Sequence, residues 1–209
     1  MFRAVFLDLD DTLFDRTAAV LRWAAAALPS LDAADEHWLI ERDARGHRPR
    51  LEFATDVALR FELSTRPEVI ASAFPFQLAS HVEREAGVRE QIARLAILTR
   101  VAIVSNGSAA AQRMKLRRLG LDQLVHAVFI SGELGVAKPA PEIFQHALRR
   151  SGQAAVDCLF VGDDPLHDIV PAAALGLVTA WRERCAWPPE LAPPVHRLTS
   201  IQALEQVCA

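Results

Sequence analysis

With 209 residues the chain is long enough for one large domain or for a domain carrying an insertion, and 51% hydrophobic beside 23% charged residues excludes a predominantly disordered protein. A net charge of -3 gives no long-range attraction to nucleic acid or to an anionic membrane surface, so a bound anion must be met by local positive groups or a recruited cation. The apolar residues 4–7 are cut short by Asp8, too early for a secretory signal, and the uncharged stretch 169–181 holds Pro171 and Gly176 and is too short for a bilayer.

Residues 3–9 read as a short apolar strand, and from 15 to 28 the pattern turns helical until Pro29 stops it. Residues 33–45, 51–62 and 67–86 read as further amphipathic helices, with His47-Arg48-Pro49-Arg50 as a polar break and no strand pattern among them. Residues 88–98 form another helix that returns the chain to the first domain. From there strands and helices alternate: a strand at 101–104, the turn Ser105-Asn106-Gly107-Ser108, a helix at 109–119 capped by Gly120, and a strand at 126–130. A loop through Lys138-Pro139, a helix at 141–151, a strand at 158–161 entering Gly162-Asp163-Asp164, a helix to 175 and a strand at 177–181 follow, and 185–194 is irregular.

This alternation predicts an α/β protein with a doubly wound parallel sheet, built from 1–14 and 88–209, and an inserted α-helical cap domain over 15–87. Ligands of such sheets bind beyond the carboxyl ends of the strands. Four polar clusters fall there: Asp8-Leu9-Asp10-Asp11-Thr12, Ser105-Asn106-Gly107-Ser108, Lys138-Pro139, and the run from Gly162 to Asp168. Three have bland readings taken singly, as a turn with a helix N-cap, a loop lysine, and an Asp cap with Pro165 opening a helix. Asp8-x-Asp10-x-Thr12 could open a calcium loop, but there is no glycine at its sixth position and Ala19 stands where the bidentate Glu belongs. Two carboxylates at the very end of a core strand remain unusual, because like charges in a dry site repel.

In this order the clusters resemble the haloacid dehalogenase (HAD) superfamily in its phosphatase branch: DxDxT at 8–12, Ser105-Asn106-Gly107 at a strand end, Lys138-Pro139, and GDDxxxD at 162–168. The resemblance implies a Rossmann-like core and a Mg²⁺-dependent hydrolase of phosphate monoesters. Asp8 would be the nucleophile, forming an aspartyl-phosphate, and Asp10 the acid and base for the leaving group and the attacking water. Mg²⁺ would be held by Asp8, Asp163 and the backbone carbonyl of Asp10. Ser105 and Lys138 would bind and neutralise the transferring group, with Thr12, Asn106 and Gly107 completing the phosphoryl site. Asp168 and Asp164 would orient Lys138 or a metal-bound water.

Two branches of the superfamily and one other class compete. A dehalogenase lacks an acid two residues after its nucleophile, where this chain has Asp10, and Asp163 completes a metal site; a phosphomutase of the β-phosphoglucomutase type keeps the same acids and stays open. A non-catalytic binding module would have lost the nucleophile or the lysine, and both are present. The expected partner is a small phosphorylated metabolite in the cytoplasm, with no nucleic acid polymer, no membrane and an oligomeric state left open. Within the cap, Arg42, His47, Arg48 and Arg50 read as a solvated face or as contacts to the leaving group, and Trp23 and Trp38 as cap core. Cys158, Cys185 and Cys208 lack the spacing of a disulfide framework or zinc site.

Overall fold

A computed structural model describes residues 1–208 and divides the chain into two compact units, Met1–Phe14 with the chain from Arg84 onward, and Asp15–Glu83. The chain enters through β1 (Ala4–Leu7), fully buried, and passes into the second unit, built from α1 (Arg16–Ala27), α2 (Ala33–Asp43), α3 (Arg50–Arg60) and α4 (Pro67–Ser80). It returns through α5 (Val88–Leu98) to β2 (Arg100–Ser105), α6 (Ala109–Leu119), β3 (Ala127–Ile130), the short α7 (Ser131–Leu134) and α8 (Pro141–Ser151). β4 (Cys158–Gly162), a wide π-helical turn (Pro165–Ile169), α9 (Val170–Ala174), β5 (Val178–Arg182), β6 (His196–Leu198) and α10 (Leu204–Cys208) complete it.

All six strands are parallel, in the order β3-β2-β1-β4-β5-β6. β1 therefore lies between β2 and β4, with Leu7 opposite Ile103 on one side and Val161 on the other. Side chains alternate across a strand, so Ala4, Phe6, Ala102, Val104, Cys158 and Phe160 share one face. They pack on Ile143, Phe144 and Ala147 of α8, with the rings of Phe144 and Phe160 5.0 Å apart. Burial of that face fixes the register, since a slip by one residue would turn these side chains away from α8. The register in turn brings the ends of β1, β2 and β4 side by side.

The inserted unit has an aromatic centre, with Trp23 edge-on to Phe74 at 4.6 Å and Phe53 5.0 Å from Phe74. Its frame is a buried ion pair: Arg16 donates to both oxygens of Asp43, which also accepts from Arg50 at 3.1 Å. Burial alone would raise the Asp43 carboxyl, but the two guanidiniums outweigh it and hold the group below the ordinary carboxylate range. Arg50 also lies 5.2 Å over the Phe74 ring, and Arg48 pairs with Asp56 at 2.7 Å, so the basic break is largely engaged within its own unit. Trp38 is half-buried beneath the guanidiniums of Arg42 and Arg60.

The expected helices and strands are present with differences at their ends. The helix expected over 67–86 stops at Ser80, although the residues beyond it favour helix; Glu85 is drawn instead into pairs with Arg182, at 3.3 Å, and Arg184. The helix expected up to 175 is broken into the π-helical turn and α9. α7 lies in a stretch read as loop, and β6 is too short, after Pro193 and Pro194, to leave a periodic signal. Among the described residues no helix is long and apolar enough to cross a membrane, and the three cysteines are free thiols.

Candidate active site

The four aspartates near the start of the chain do different work. Asp8 follows β1 directly and extends its ladder, with its N–H bonded to the Val161 carbonyl at 2.9 Å. Asp11 takes a left-handed φ of 57°, which Asp tolerates better than most residues, and its carbonyl accepts from Arg184 Nε at 3.0 Å. Asp15 is the N-cap of α1, accepting from the Ala18 N–H at 2.8 Å.

Lys138 Nζ lies between two carboxylates, 2.6 Å from Asp8 Oδ1 and 2.6 Å from Asp168 Oδ1. The three side chains are almost fully buried. Thr12 Oγ1 stands 3.2 Å from both Asp8 Oδ2 and Asp163 Oδ1, joining the ends of β1 and β4. Trp181 Nε1 fixes the backbone there by donating to the Asp163 carbonyl at 2.8 Å. Burial pushes the Asp8 carboxyl up; Lys138 opposes that, Asp168 adds repulsion, and the outcome is about 7. Burial would push Lys138 down, but Asp168 and Asp8 outweigh it and hold the ammonium above its ordinary value. Lys138 therefore stays charged, and Asp8 is the group that resists ionisation while it faces Asp168 in a dry site.

Asp168 is held from behind: its Oδ2 accepts from the Asp164 N–H at 3.1 Å. The Asp164 side chain caps the following turn, accepting from the N–H groups of Leu166 and His167 at 2.8 and 2.9 Å. The Asp164 side chain is thus the cap, and its backbone N–H supports Asp168. A Cβ on Gly162 would collide with the Asp168 carboxylate, so only glycine leaves room for this arrangement. His167 sits beside Asp164, its Nδ1 3.1 Å from Asp164 Oδ2.

Asn106 and Gly107 are placed differently from expectation. The Asn106 amide is committed to the backbone of Lys138, donating to its carbonyl at 2.8 Å and accepting its N–H at 2.9 Å. Its side chain thus supports the lysine and is not turned to a phosphoryl group. The Gly107 N–H donates to Ser131 Oγ at 2.9 Å, so Gly107, at φ 136°, serves as a turn here and its amide is already used. Ser105 is buried at the end of β2, its Oγ accepting from Gln112 Nε2 at 2.7 Å.

Two residues of this site escaped the sequence reading. Gln112 Nε2 lies 2.7 Å from Asp10 Oδ2, and Lys115 Nζ lies 2.5 Å from Asp10 Oδ1. Both belong to α6, where Gln112, Lys115, Leu116 and Leu119 form the buried face. Polar residues on the inward stripe of a helix were the available signal. The second lysine also changes the charge balance, since Lys138 is not the site's only cation. Asp8, Asp10, Asp163 and Asp168 still outnumber Lys115 and Lys138 by two. Oxygens of Asp8, Asp163 and Asp168 lie within 4.8 Å of one another, all buried. An all-oxygen cluster short of positive charge suits a hard divalent cation.

The chain matches the family model of haloacid dehalogenase-like hydrolases over residues 2–176. It is 31% identical over 196 residues to a glyceraldehyde 3-phosphate phosphatase of Methanopyrus kandleri, covering 86% of this chain and 83% of that protein. It is 26% identical over 227 residues to the N-acylneuraminate-9-phosphatase of Rattus norvegicus, covering 97% and 91%. Its fold is similar to that of the HAD-hydrolase YfnB from Bacillus subtilis bound to magnesium, with a TM-score of 0.85 over 99% of this chain and 98% of that one, at 20% identity.

Proposed function

The chain belongs to the haloacid dehalogenase-like hydrolase family, and on that premise we propose that it is a Mg²⁺-dependent phosphatase that hydrolyses a small phosphorylated metabolite through an aspartyl-phosphate. The observation that carries the reading is the division of two carboxylates two residues apart. Asp8 is buried against Lys138 and Thr12, while Asp10 turns to a separate pair of donors, Gln112 and Lys115. Carboxylates held in separate environments are suited to separate roles.

Asp8 attacks phosphorus, the bond from phosphorus to the ester oxygen breaks, and Asp10 gives its proton to the departing alkoxide. Asp10 then takes a proton from a water that attacks the aspartyl-phosphate, releasing inorganic phosphate and restoring Asp8. Lys138 balances charge on Asp8 and the transferring group; two unit charges 4 Å apart at an effective dielectric of 20 interact by about 4 kcal/mol. Asp168 orients Lys138, which donates to its Oδ1 at 2.6 Å while the Asp164 N–H holds its Oδ2. Ser105 offers its hydroxyl to a phosphoryl oxygen, with Thr12 fixing the loop after β1 to Asp8 and Asp163. Asp8, Asp163 and the Asp10 carbonyl would hold Mg²⁺, which when bound supplies charge neutralisation for a dianion approaching a carboxylate.

Support for the substrate class comes from relatives named for glyceraldehyde 3-phosphate and for an N-acylneuraminate 9-phosphate, both small phosphorylated metabolites. A panel of phosphorylated metabolites including these two, run with Mg²⁺ and with excess chelator, tests the reading. Free phosphate from at least one ester, lost in chelator, is expected. Full activity in chelator, or an isomeric phosphate in place of free phosphate, overturns it.

A further inference from the structure

The geometry points to Gln112 and Lys115 as positioning residues for the proton transfers of Asp10, a role that rests on the phosphatase reading above. The two side chains leave α6 one turn apart and reach the two oxygens of one carboxylate separately, Lys115 to Oδ1 at 2.5 Å and Gln112 to Oδ2 at 2.7 Å. A carboxylate gripped at both oxygens cannot rotate about its terminal torsion, which is otherwise broad. Each oxygen also has a second lone pair beyond the one its donor uses. The grip therefore sets the orientation of Asp10 without excluding a leaving-group oxygen or a water.

The surroundings favour a dedicated arrangement over an incidental surface pair. Lys115 is 5% exposed and its Nζ lies 5.6 Å from the centre of the Phe14 ring; Gln112 is 2% exposed. The Gln112 amide nitrogen has two hydrogens and three acceptors within 3 Å: Asp10 Oδ2, Ser105 Oγ at 2.7 Å and the Asn106 carbonyl at 2.9 Å. One amide thus ties the acid–base residue to the hydroxyl at the end of β2. Gly107 contributes, because a Cβ there would press on Gln112 Cγ and Cδ at 3.1 Å. The sequence spacing that makes this possible is 112 to 115, on the helix that follows the Ser105-Asn106-Gly107 turn.

A positioning role and a merely structural one differ in how the loss depends on the leaving group. The test compares Lys115→Met, Gln112→Leu and Lys115→Arg with wild type on para-nitrophenyl phosphate, whose leaving group needs no proton, and on phenyl phosphate, whose leaving group is far poorer. Thermal unfolding of each variant is followed alongside. For Lys115→Met and Gln112→Leu, kcat on phenyl phosphate should fall by roughly 10–10²-fold with KM nearly unchanged. Release of the first equivalent of nitrophenolate should fall far less, and Lys115→Arg should recover most of the loss. Added to Asp10→Asn, Lys115→Met should cost almost nothing more on phenyl phosphate, because its effect acts through the group already removed. Equal losses on the two esters, or a full multiplicative loss in the Asp10→Asn background, overturns the inference and leaves the phosphatase reading standing. If Asp10→Asn alone loses nothing on phenyl phosphate, the acid–base reading itself fails. Should Lys115→Met not fold, Gln112→Leu, which keeps the ion pair, carries the same comparison.

Discussion

Replacing Asp8 by Asn should produce a protein that is inactive and more stable than wild type when no divalent cation is present. Asp8 is 6% exposed, and burial together with Asp168 lifts its carboxyl from 3.8 to about 7, against the opposing pull of Lys138. A proton bound more tightly in the folded than in the unfolded chain stabilises the folded state at low pH, and that contribution disappears as pH rises through the interval between the two values. By about pH 8 the wild type carries the whole cost of an ionised Asp8, of order 4 kcal/mol. Asparagine avoids this cost, in which the pull of Lys138 is already included, but it has one oxygen where Asp8 accepts from both Lys138 and Thr12, and the lost acceptor gives back roughly 1–3 kcal/mol. A net gain of about 1–3 kcal/mol corresponds to a rise of about 2–10 °C in Tm for a chain of this size. Thermal unfolding in excess chelator, from about pH 4 to pH 8, is the assay, and the gap between variant and wild type should open as pH rises. Adding Mg²⁺ should close it by stabilising the wild type more. An Asn variant less stable than wild type at the upper end, or a gap independent of pH, would refute the account of Asp8 as a carboxylate held under strain for its chemistry.

Three other outcomes follow from named contacts. Asp10→Asn should cost about 10²–10⁴-fold on an alkyl phosphate yet give a rapid-mixing burst of nitrophenolate near one equivalent per site; no burst would remove Asp10 from the acid–base role. Gly162→Ala should displace Asp168 from Lys138, lowering kcat at least 10-fold and stability by about 1–3 kcal/mol, and unchanged kinetics would show that this contact does not matter. Asp43→Ala leaves Arg16 buried without its main partner and should cost about 3–5 kcal/mol in urea unfolding, whereas a loss below about 1 kcal/mol would reduce that ion pair to a surface-like contribution.

Much of this protein is legible in its sequence because its signals are local. A buried strand flanked by helices is uniformly apolar, a helix shows its period, and Gly120 marks a left-handed cap, so the parallel sheet and the helical insertion can be read residue by residue. A doubly wound sheet also tells where strand ends go, and the polar clusters that hold Asp8, Ser105, Lys138 and Asp163 fall there, while the roles of these residues come from the resemblance to the family. Which acid does which task is not a local property. Asp10, Asp11, Asp15 and Asp164 are one residue type, and while the caps at Asp15 and Asp164 are local bonds at helix starts, the left-handed turn at Asp11 and the partners of Asp10 are set by packing. The amides of Asn106 and Gly107 were taken up by Lys138 and Ser131, partners 32 and 24 residues away in sequence. Lys115 and Gln112 meet Asp10 across more than 100 residues, a pairing that depends on the register of β1 beside β2 and on the depth at which α6 lies. Short-range pattern fixes elements because each residue's burial repeats with its own helix or strand. The partner of a buried polar group is chosen only when those elements close around it, where leaving it unpaired would cost more than any local preference could recover.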